Sequence, residues 1–297
     1  MHSLLSFKDR GKWGDSRWRG NCSGHVIREL VDHFCPSLFV DVCEGSGTSR
    51  DVCKELGVEY VGLDLHRGQD FTRDFVLKFL PRPADMAFSH PPYGAMIDYG
   101  SVGKWENPDQ KEADLSRCDS VEQFLEFSQT MLQNQRLATR PGGHYATLIG
   151  DLRKKGEFHS FQADYIKLMP KDELVSVVIK AQHNCVSDRR SYRGSFVPIM
   201  HEYLLIWKRS EKTMLAITFD KIAELELQKE WSWRNLVRMA LIAKGGKANL
   251  QELYALIERM SESKARREQN SHWQAKVRQT LQRHFSRIDR GQWALAA

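Results

Sequence analysis

The segment Leu38–Thr48, Leu-Phe-Val-Asp-Val-Cys-Glu-Gly-Ser-Gly-Thr, places the tightest constraint on how this chain folds. Leu38 to Val42 is a short apolar run of the kind found in a parallel sheet buried on both faces. Gly45 and Gly47 follow at once, and glycine lets a backbone turn sharply and approach a ligand closely. Helical spacing then runs from Ser49 to Leu56, and a helix start offers free N–H groups. Strand, glycine turn and helix in that order hold a nucleotide-like ligand. The next strand, Tyr60–Asp64, ends in a carboxylate 23 residues after Asp41, suited to accept both hydroxyls of a ribose. A Gly-x-Gly turn alone equally suits a plain strand–helix connection; Asp64 tips the reading towards a ligand. There is no third spaced glycine and no Gly-Lys-Ser/Thr, which argues against NAD and nucleoside triphosphates.

The rest of the chain alternates in the same way. Residues 1–24 read as an irregular lead-in, and Val26–Phe34 as a helix stopped by Pro36. Strands are predicted at Ala84–Ser89, His144–Ile149, Leu174–Lys180 and Glu202–Lys208, and helices at Val121–Thr139 and Phe161–Met169. Two polar stretches, Gly94–Ser120 and Gln182–Ser195, read as loops. The expected fold is α/β, a doubly wound sheet with a late antiparallel pair. Beyond Arg209 the texture becomes helical, with amphipathic runs at Glu230–Lys244, Leu250–Met260 and Ser271–His284. A hairpin then turns near Arg290-Gly291. Three helices and a terminal hairpin outline a small winged-helix-like domain. The expected division is residues 1–209, catalytic, and 210–297, basic.

Charge sharpens that division. Residues 211–297 carry 16 Lys and Arg against 10 Asp and Glu, so the whole formal charge of +6 lies there. A basic tail on a neutral body suits a polyanionic partner, although a solvated helical surface would look the same. No apolar run approaches the length of a membrane span, and the N-terminus lacks a signal-peptide layout. The six cysteines are scattered without a Cys-x-x-Cys pair, which suits reduced thiols in a cytoplasmic protein and no metal site.

A second motif, Phe88-Ser89-His90-Pro91-Pro92-Tyr93, reads as a strand running into a rigid corner that presents an aromatic ring. Together the two motifs resemble the amino-group DNA methyltransferases, which are class I (Rossmann-like) enzymes dependent on S-adenosyl-L-methionine. Asp41–Thr48 resembles their cofactor motif, Arg19-Gly20-Asn21-Cys22-Ser23-Gly24 the upstream segment that holds the methionine end, and His90–Tyr93 their [Asp/Asn/Ser]-Pro-Pro-aromatic corner. Gly150–Gly156, Lys180–Asn184 and His201–Leu205 resemble segments downstream in the same enzymes. The resemblance spans roughly residues 15–209 and is nearest to prophage-encoded adenine-N6 enzymes of low sequence specificity.

The resemblance implies methyl transfer to the N6 amino group of adenine in DNA, with His90, Pro91, Pro92 and Tyr93 catalytic. It implies cofactor contacts from Arg19, Asn21, Ser23, Asp41, Glu44, Gly45, Gly47, Thr48, Asp64, Leu65 and Ser89. An exocyclic amino nitrogen is a poor nucleophile because its lone pair is delocalised. Acceptors that hold its hydrogens, the Pro91 carbonyl and the first side chain of the corner, free that lone pair by position and electrostatics. Tyr93 would stack on the base once it is flipped out of the duplex. His90 departs from the family pattern. A neutral imidazole accepts a hydrogen bond and an imidazolium does not, so activity is expected to fall at acid pH. The competing reading gives the accepting role to Pro91 and Ser89.

DNA contacts are expected from Lys104 in the first polar loop, from Asn184, Arg189, Arg190 and Tyr192 in the second, and from Trp273, Lys276, Arg278 and Arg283 near the last helix. Trp13, Trp18, Trp207, Trp231 and Trp233 read as packing residues. Cytosine-N4 methylation, an RNA substrate, and an inactive DNA-binding protein are the alternatives; a monomer and a homodimer are both open. By resemblance the role would be protection of a mobile element from restriction.

Overall fold

The structure is a computed structural model. It describes residues 1–101, 106, 113–184, 195–211, 233–260 and 263–294. The chain divides into two units, Met1–Val76 with Ala84–Thr213, and Leu77–Pro83 with Met214–Ala297. The sequence places the division at 209/210; the short excursion at Leu77–Pro83 has no mark in its residue pattern.

In the first unit a seven-stranded sheet has the order β1-β8-β9-β5-β4-β2-β3. Its strands are β1 (Leu4–Ser6), β2 (Leu38–Asp41), β3 (Glu59–Gly62), β4 (Ala84–Ser89), β5 (Thr139–Ile149), β8 (Leu174–Ala181) and β9 (His201–Lys208). Strands β3, β2, β4 and β5 are parallel, and β9 runs against both β5 and β8. This is the doubly wound α/β sheet with a late antiparallel pair. All four residues of β2 are buried, as a central parallel strand with both faces covered requires.

Helix α1 (Gly24–Phe34) buries Val26, Ile27, Leu30 and Val31. It ends where Cys35 turns left-handed just before Pro36. Helix α2 (Thr48–Leu56) starts from Gly47, whose φ of +86° only glycine adopts readily. Helix α3 (Val121–Ala138) is capped by Ser120, whose side chain accepts from Gln123 N. It carries Gln135 beneath the end of β4. The Gln135 amide donates to the carbonyls of Ala87 and Ala146, and its oxygen accepts from Ser89 Oγ at 2.9 Å. That buried staple fixes the two central strands where the Pro-Pro corner leaves the sheet. Helix α4 (Phe161–Leu168) and the hairpin β6 (Leu152–Lys154) with β7 (Glu157–His159) complete the unit.

Two readings need correction here. Residues 1–24 are not wholly irregular, since β1 pairs in parallel with β8 at the sheet edge. Three residues are too few to show an alternation, and the partner strand lies far along the chain. The Gly94–Ser120 loop contains short 3-10 turns at Gly94–Met96, Tyr99–Ser101 and Leu115–Arg117.

The second unit holds α5 (Trp233–Ala243), β10 (Lys247–Asn249), α6 (Leu250–Arg259), α7 (Lys264–Glu268), α8 (Trp273–His284), β11 (Ser286–Asp289) and β12 (Gln292–Ala294). Leu236, Leu241, Leu253, Val277, Leu281 and Trp293 share its own core. Asn249 and Glu252 form a reciprocal cap at the start of α6. Strands β11 and β12 form the hairpin, and β10 adds to β12 to make a three-stranded sheet. Among the described residues no helix is long and apolar enough to cross a membrane.

Candidate active site

The C-terminal ends of β2, β3 and β4 open on a cavity. The chain turns at Gly45 and Gly47, both with positive φ. Two carboxylates hold this turn. Asp41 Oδ1 accepts from Cys43 N at 2.9 Å and Oδ2 from Ser49 Oγ at 2.5 Å. Asp64 Oδ2 accepts from Gly45 N at 2.7 Å, while Oδ1 accepts from His66 N and His66 Nδ1 at 2.9 and 2.8 Å. Burial pushes both acids up. For Asp41 burial wins, at about 7; for Asp64 the hydrogen bonds and His66 outweigh it, and the carboxyl lies below its ordinary value.

Glu44, with a side chain only 4% exposed, pairs with Arg67 and, at 3.7 Å, with Arg50. Asp114 is buried, and its Oδ1 accepts from Ser116 N at 2.8 Å. Among the described residues its Oδ2 has no hydrogen-bond partner, and burial raises its pKa. Asp41, Glu44, Asp64, Asp70 and Asp114 all line the cavity, and no Lys or Arg is among its described lining residues.

A second cavity lies beside the first, and His90, Asn21, Gly20 and Tyr99 line both. His90 opens the Pro-Pro corner at the end of β4. Its Nε2 lies 2.8 Å from Tyr93 Oη, which donates to Glu202 Oε1, also at 2.8 Å. Lys180 Nζ, paired across β8 and β9 with Glu202, donates to Oε2 at 2.7 Å. The Tyr93 ring lies against Gly150; a Cβ there would come within 2.6 Å of it. Burial pushes the half-buried His90 imidazole down to about 4, so loss of the neutral form moves from near pH 6.5 to near pH 4. That revises the acid sensitivity expected from the sequence.

Of the other residues named from the sequence, Glu44, Gly45, Thr48, Leu65, Asp41, Asp64 and Pro92 line the first cavity, and Pro91 and Tyr93 the second. Asn21 lines both and accepts from Thr48 Oγ1 at 2.5 Å. Gly47 serves as the cap of α2. Three others of the named residues lie outside both cavities. Ser89 is fully buried, bonded to Gln135 and Thr147, and lines neither cavity, so it cannot do the accepting in place of His90. Ser23 caps α1. Arg19 is exposed and also lines neither.

Lys104, Arg189, Arg190 and Tyr192, with Trp105 and Trp231, lie outside the described residues. Asn184 adopts φ +59° and its amide donates to Lys8 O at 3.2 Å. Lys276, Arg278 and Arg283 are exposed on α8, while Trp273 packs against the core of its unit beside Tyr254. Tyr99, expected from the sequence to fold over a flipped base or contact DNA, lines the first cavity, as do Trp18, His66, Asp70 and Asp114, whose place there the sequence did not show. Only Asp114 left a signal, an Asp-x-Ser turn at the end of a polar loop.

No protein-family model matches the chain, and no curated protein does. Several solved structures resemble it in part, SAM-dependent methyltransferases among them. TrmN from Thermus thermophilus is 12% identical, with a TM-score of 0.34 over 64% of this chain. The chain spans only 50% of TrmN's length. A SAM-dependent methyltransferase from Archaeoglobus fulgidus is 13% identical, TM-score 0.37, over 63% of this chain and 92% of its own. A candidate DNA modification methylase from Thermus thermophilus, complexed with S-adenosyl-L-methionine, is 16% identical, TM-score 0.32, over 57% and 72%.

Proposed function

We propose that this chain transfers a methyl group from S-adenosyl-L-methionine to the N6 amino group of adenine in DNA, with low sequence specificity. The observation that carries the reading is the position of His90. A neutral imidazole at a rigid Pro-Pro corner forms a wall common to an acidic first cavity and a second, separate one.

The acidic cavity fits the cofactor. Its carboxylates, with no Lys or Arg among the described lining residues, suit a ligand with a positive sulfonium, ribose hydroxyls and an adenine amino group. The orphaned Oδ2 of Asp114 is an acceptor in want of a donor such as that amino group. Asp64 would face the ribose while its other contacts hold the glycine turn, and Trp18 and Phe71 offer apolar cover. The bound cofactor supplies an activated methyl group. Pro91 O and His90 would hold the amino hydrogens of the target base and turn its lone pair towards that methyl. Tyr93 and Tyr99 line the second cavity as ring surfaces for a flipped base.

The second unit supports a nucleic-acid partner. Exposed Lys276, Arg278, Arg283 and Arg287 lie on α8 and the hairpin that follows. The longer helices α5, α6 and α8, with the short α7 between the last two and a terminal hairpin, suit a winged-helix reading, α8 entering a groove and the basic residues meeting phosphates.

With cofactor saturating, the acid limb that His90 gives to single-turnover methyl transfer is expected near pH 4, below the titration of Asp41 at about 7. An acid limb near pH 6.5 that vanishes in His90→Asn would contradict the burial of His90. Nucleoside mass spectrometry on DNA from a methylation-free host expressing the chain tests the activity itself. Abundant N6-methyladenine is the expected result. N4-methylcytosine would keep the mechanism and change the base, whereas no methylated nucleoside in DNA or RNA would sink the enzymatic reading.

A further inference from the structure

We propose that Glu202, acting through Tyr93, fixes the tautomer of His90 and so reserves His90 Nδ1 as the acceptor for the target amino group. The inference rests on the methyltransferase reading and adds positioning residues to it.

An ionised carboxylate only accepts. Burial pushes the Glu202 carboxyl up, but Lys180 Nζ at 2.7 Å and the surrounding hydrogen bonds more than offset this, so it is held below its ordinary value. Tyr93 carries one hydroxyl hydrogen, and with Oη 2.8 Å from Glu202 Oε1 that hydrogen is committed to the carboxylate. The remaining contact of Tyr93 Oη, to His90 Nε2 at 2.8 Å, therefore needs its hydrogen from the imidazole. In a neutral ring a hydrogen on Nε2 leaves Nδ1 with a lone pair. The direction of donation runs from His90 to Tyr93 to Glu202, with Lys180 closing the far end.

The fold builds this arrangement from three separate pieces. His90 and Tyr93 come from the corner after β4. Lys180 and Glu202 face each other in register across β8 and β9. Gly150, at the end of β5, leaves the space that the Tyr93 ring occupies. A tyrosine whose only task was stacking would not need its hydroxyl. The aromatic position of the corner, read by ring alone, would accept phenylalanine equally.

Tyr93→Phe is therefore the discriminating variant, with Glu202→Gln as the second. Glutamine can turn its amide donor towards Tyr93, which reverses the donation and lets the tyrosine hydroxyl supply His90 Nε2. The first measurement is the ¹⁵N spectrum of histidine-labelled protein, with the His90 signals assigned by their loss in His90→Gln. The Nε2–H form is expected in the unsubstituted chain and a shift towards Nδ1–H in both variants. The second is single-turnover methyl transfer at saturating DNA. A drop of about 10- to 100-fold is expected in Tyr93→Phe, as for other partners that orient a working imidazole, with cofactor affinity and the DNA concentration for half-maximal rate unchanged.

An Nδ1–H tautomer in the unsubstituted chain overturns the proposal. So does a Tyr93→Phe rate equal to that of the unsubstituted chain, which would leave stacking as the only role of residue 93. Failure of the unsubstituted chain to transfer any methyl group overturns the proposed function instead, and with it the acceptor role of Nδ1. The spectra still decide the tautomer on their own in that case.

Discussion

Replacing His90 by alanine is expected to lower single-turnover methyl transfer by about 100- to 1,000-fold, the usual cost of removing one preorganised polar group from a transition state. The loss should fall on the chemical step. His90 sits at the junction of the two cavities, and its ring is held by Tyr93, so its acceptor is in place before the base arrives. Alanine leaves the Pro91 carbonyl as the remaining acceptor, and two hydrogens on the amino group then compete for one site. Asparagine at the same position restores a carbonyl acceptor of comparable reach. His90→Asn should accordingly recover part of the rate, whereas a purely space-filling role for residue 90 would make alanine and asparagine alike. Rapid-quench measurement of methyl incorporation with cofactor and DNA both saturating separates the chemical step from binding.

The second large effect concerns the scaffold. Glu173→Ala is expected to destabilise the first unit by about 3–5 kcal/mol, the range for removing one partner of a buried ion pair. Glu173 is fully buried and makes a two-pronged bond to Arg136, whose side chain is 3% exposed, at 2.7 and 2.5 Å. It also accepts from Tyr145 Oη at 2.6 Å and from Ser210 N at 2.8 Å. Alanine leaves the guanidinium of Arg136 in the interior without its carboxylate, close to the buried cation of Arg209. Urea unfolding should show a lower midpoint with an unchanged slope, since the surface exposed on unfolding hardly changes. An unaltered midpoint would mean that the interior around Arg136 relaxes enough to admit water. The two experiments are complementary, because His90→Ala should leave unfolding nearly untouched while Glu173→Ala acts on it directly.

Some features were legible because their cause is local. The apolar run of β2, the glycines that take left-handed angles after it, and Pro36 beyond α1 each act within a few residues of themselves. Their patterns announced an α/β sheet and a helical second part before any coordinate was known. The same locality placed Asp64 at the end of a strand and His90 at the mouth of a Pro-Pro corner.

Other features depend on residues brought together from distant parts of the chain. Whether a serine meets a ligand or the core depends on what covers it, and Ser89 is covered by Gln135 and Thr147. Asp114 gains its meaning from a missing partner, which no sequence pattern can display. The ordinary pKa of histidine gave His90 an acid limb near 6.5; burial moves it to about 4. The hydroxyl of Tyr93 acquires a direction only when Glu202, 109 residues away, is folded against it. Sequence by itself determined the strands, turns and kinds of chemical group available, because backbone angles and hydrophobic periodicity are set by neighbours along the chain. Tertiary structure alone decided which groups are buried, which are paired and which way each hydrogen points, because desolvation and hydrogen-bond geometry are set by neighbours in space.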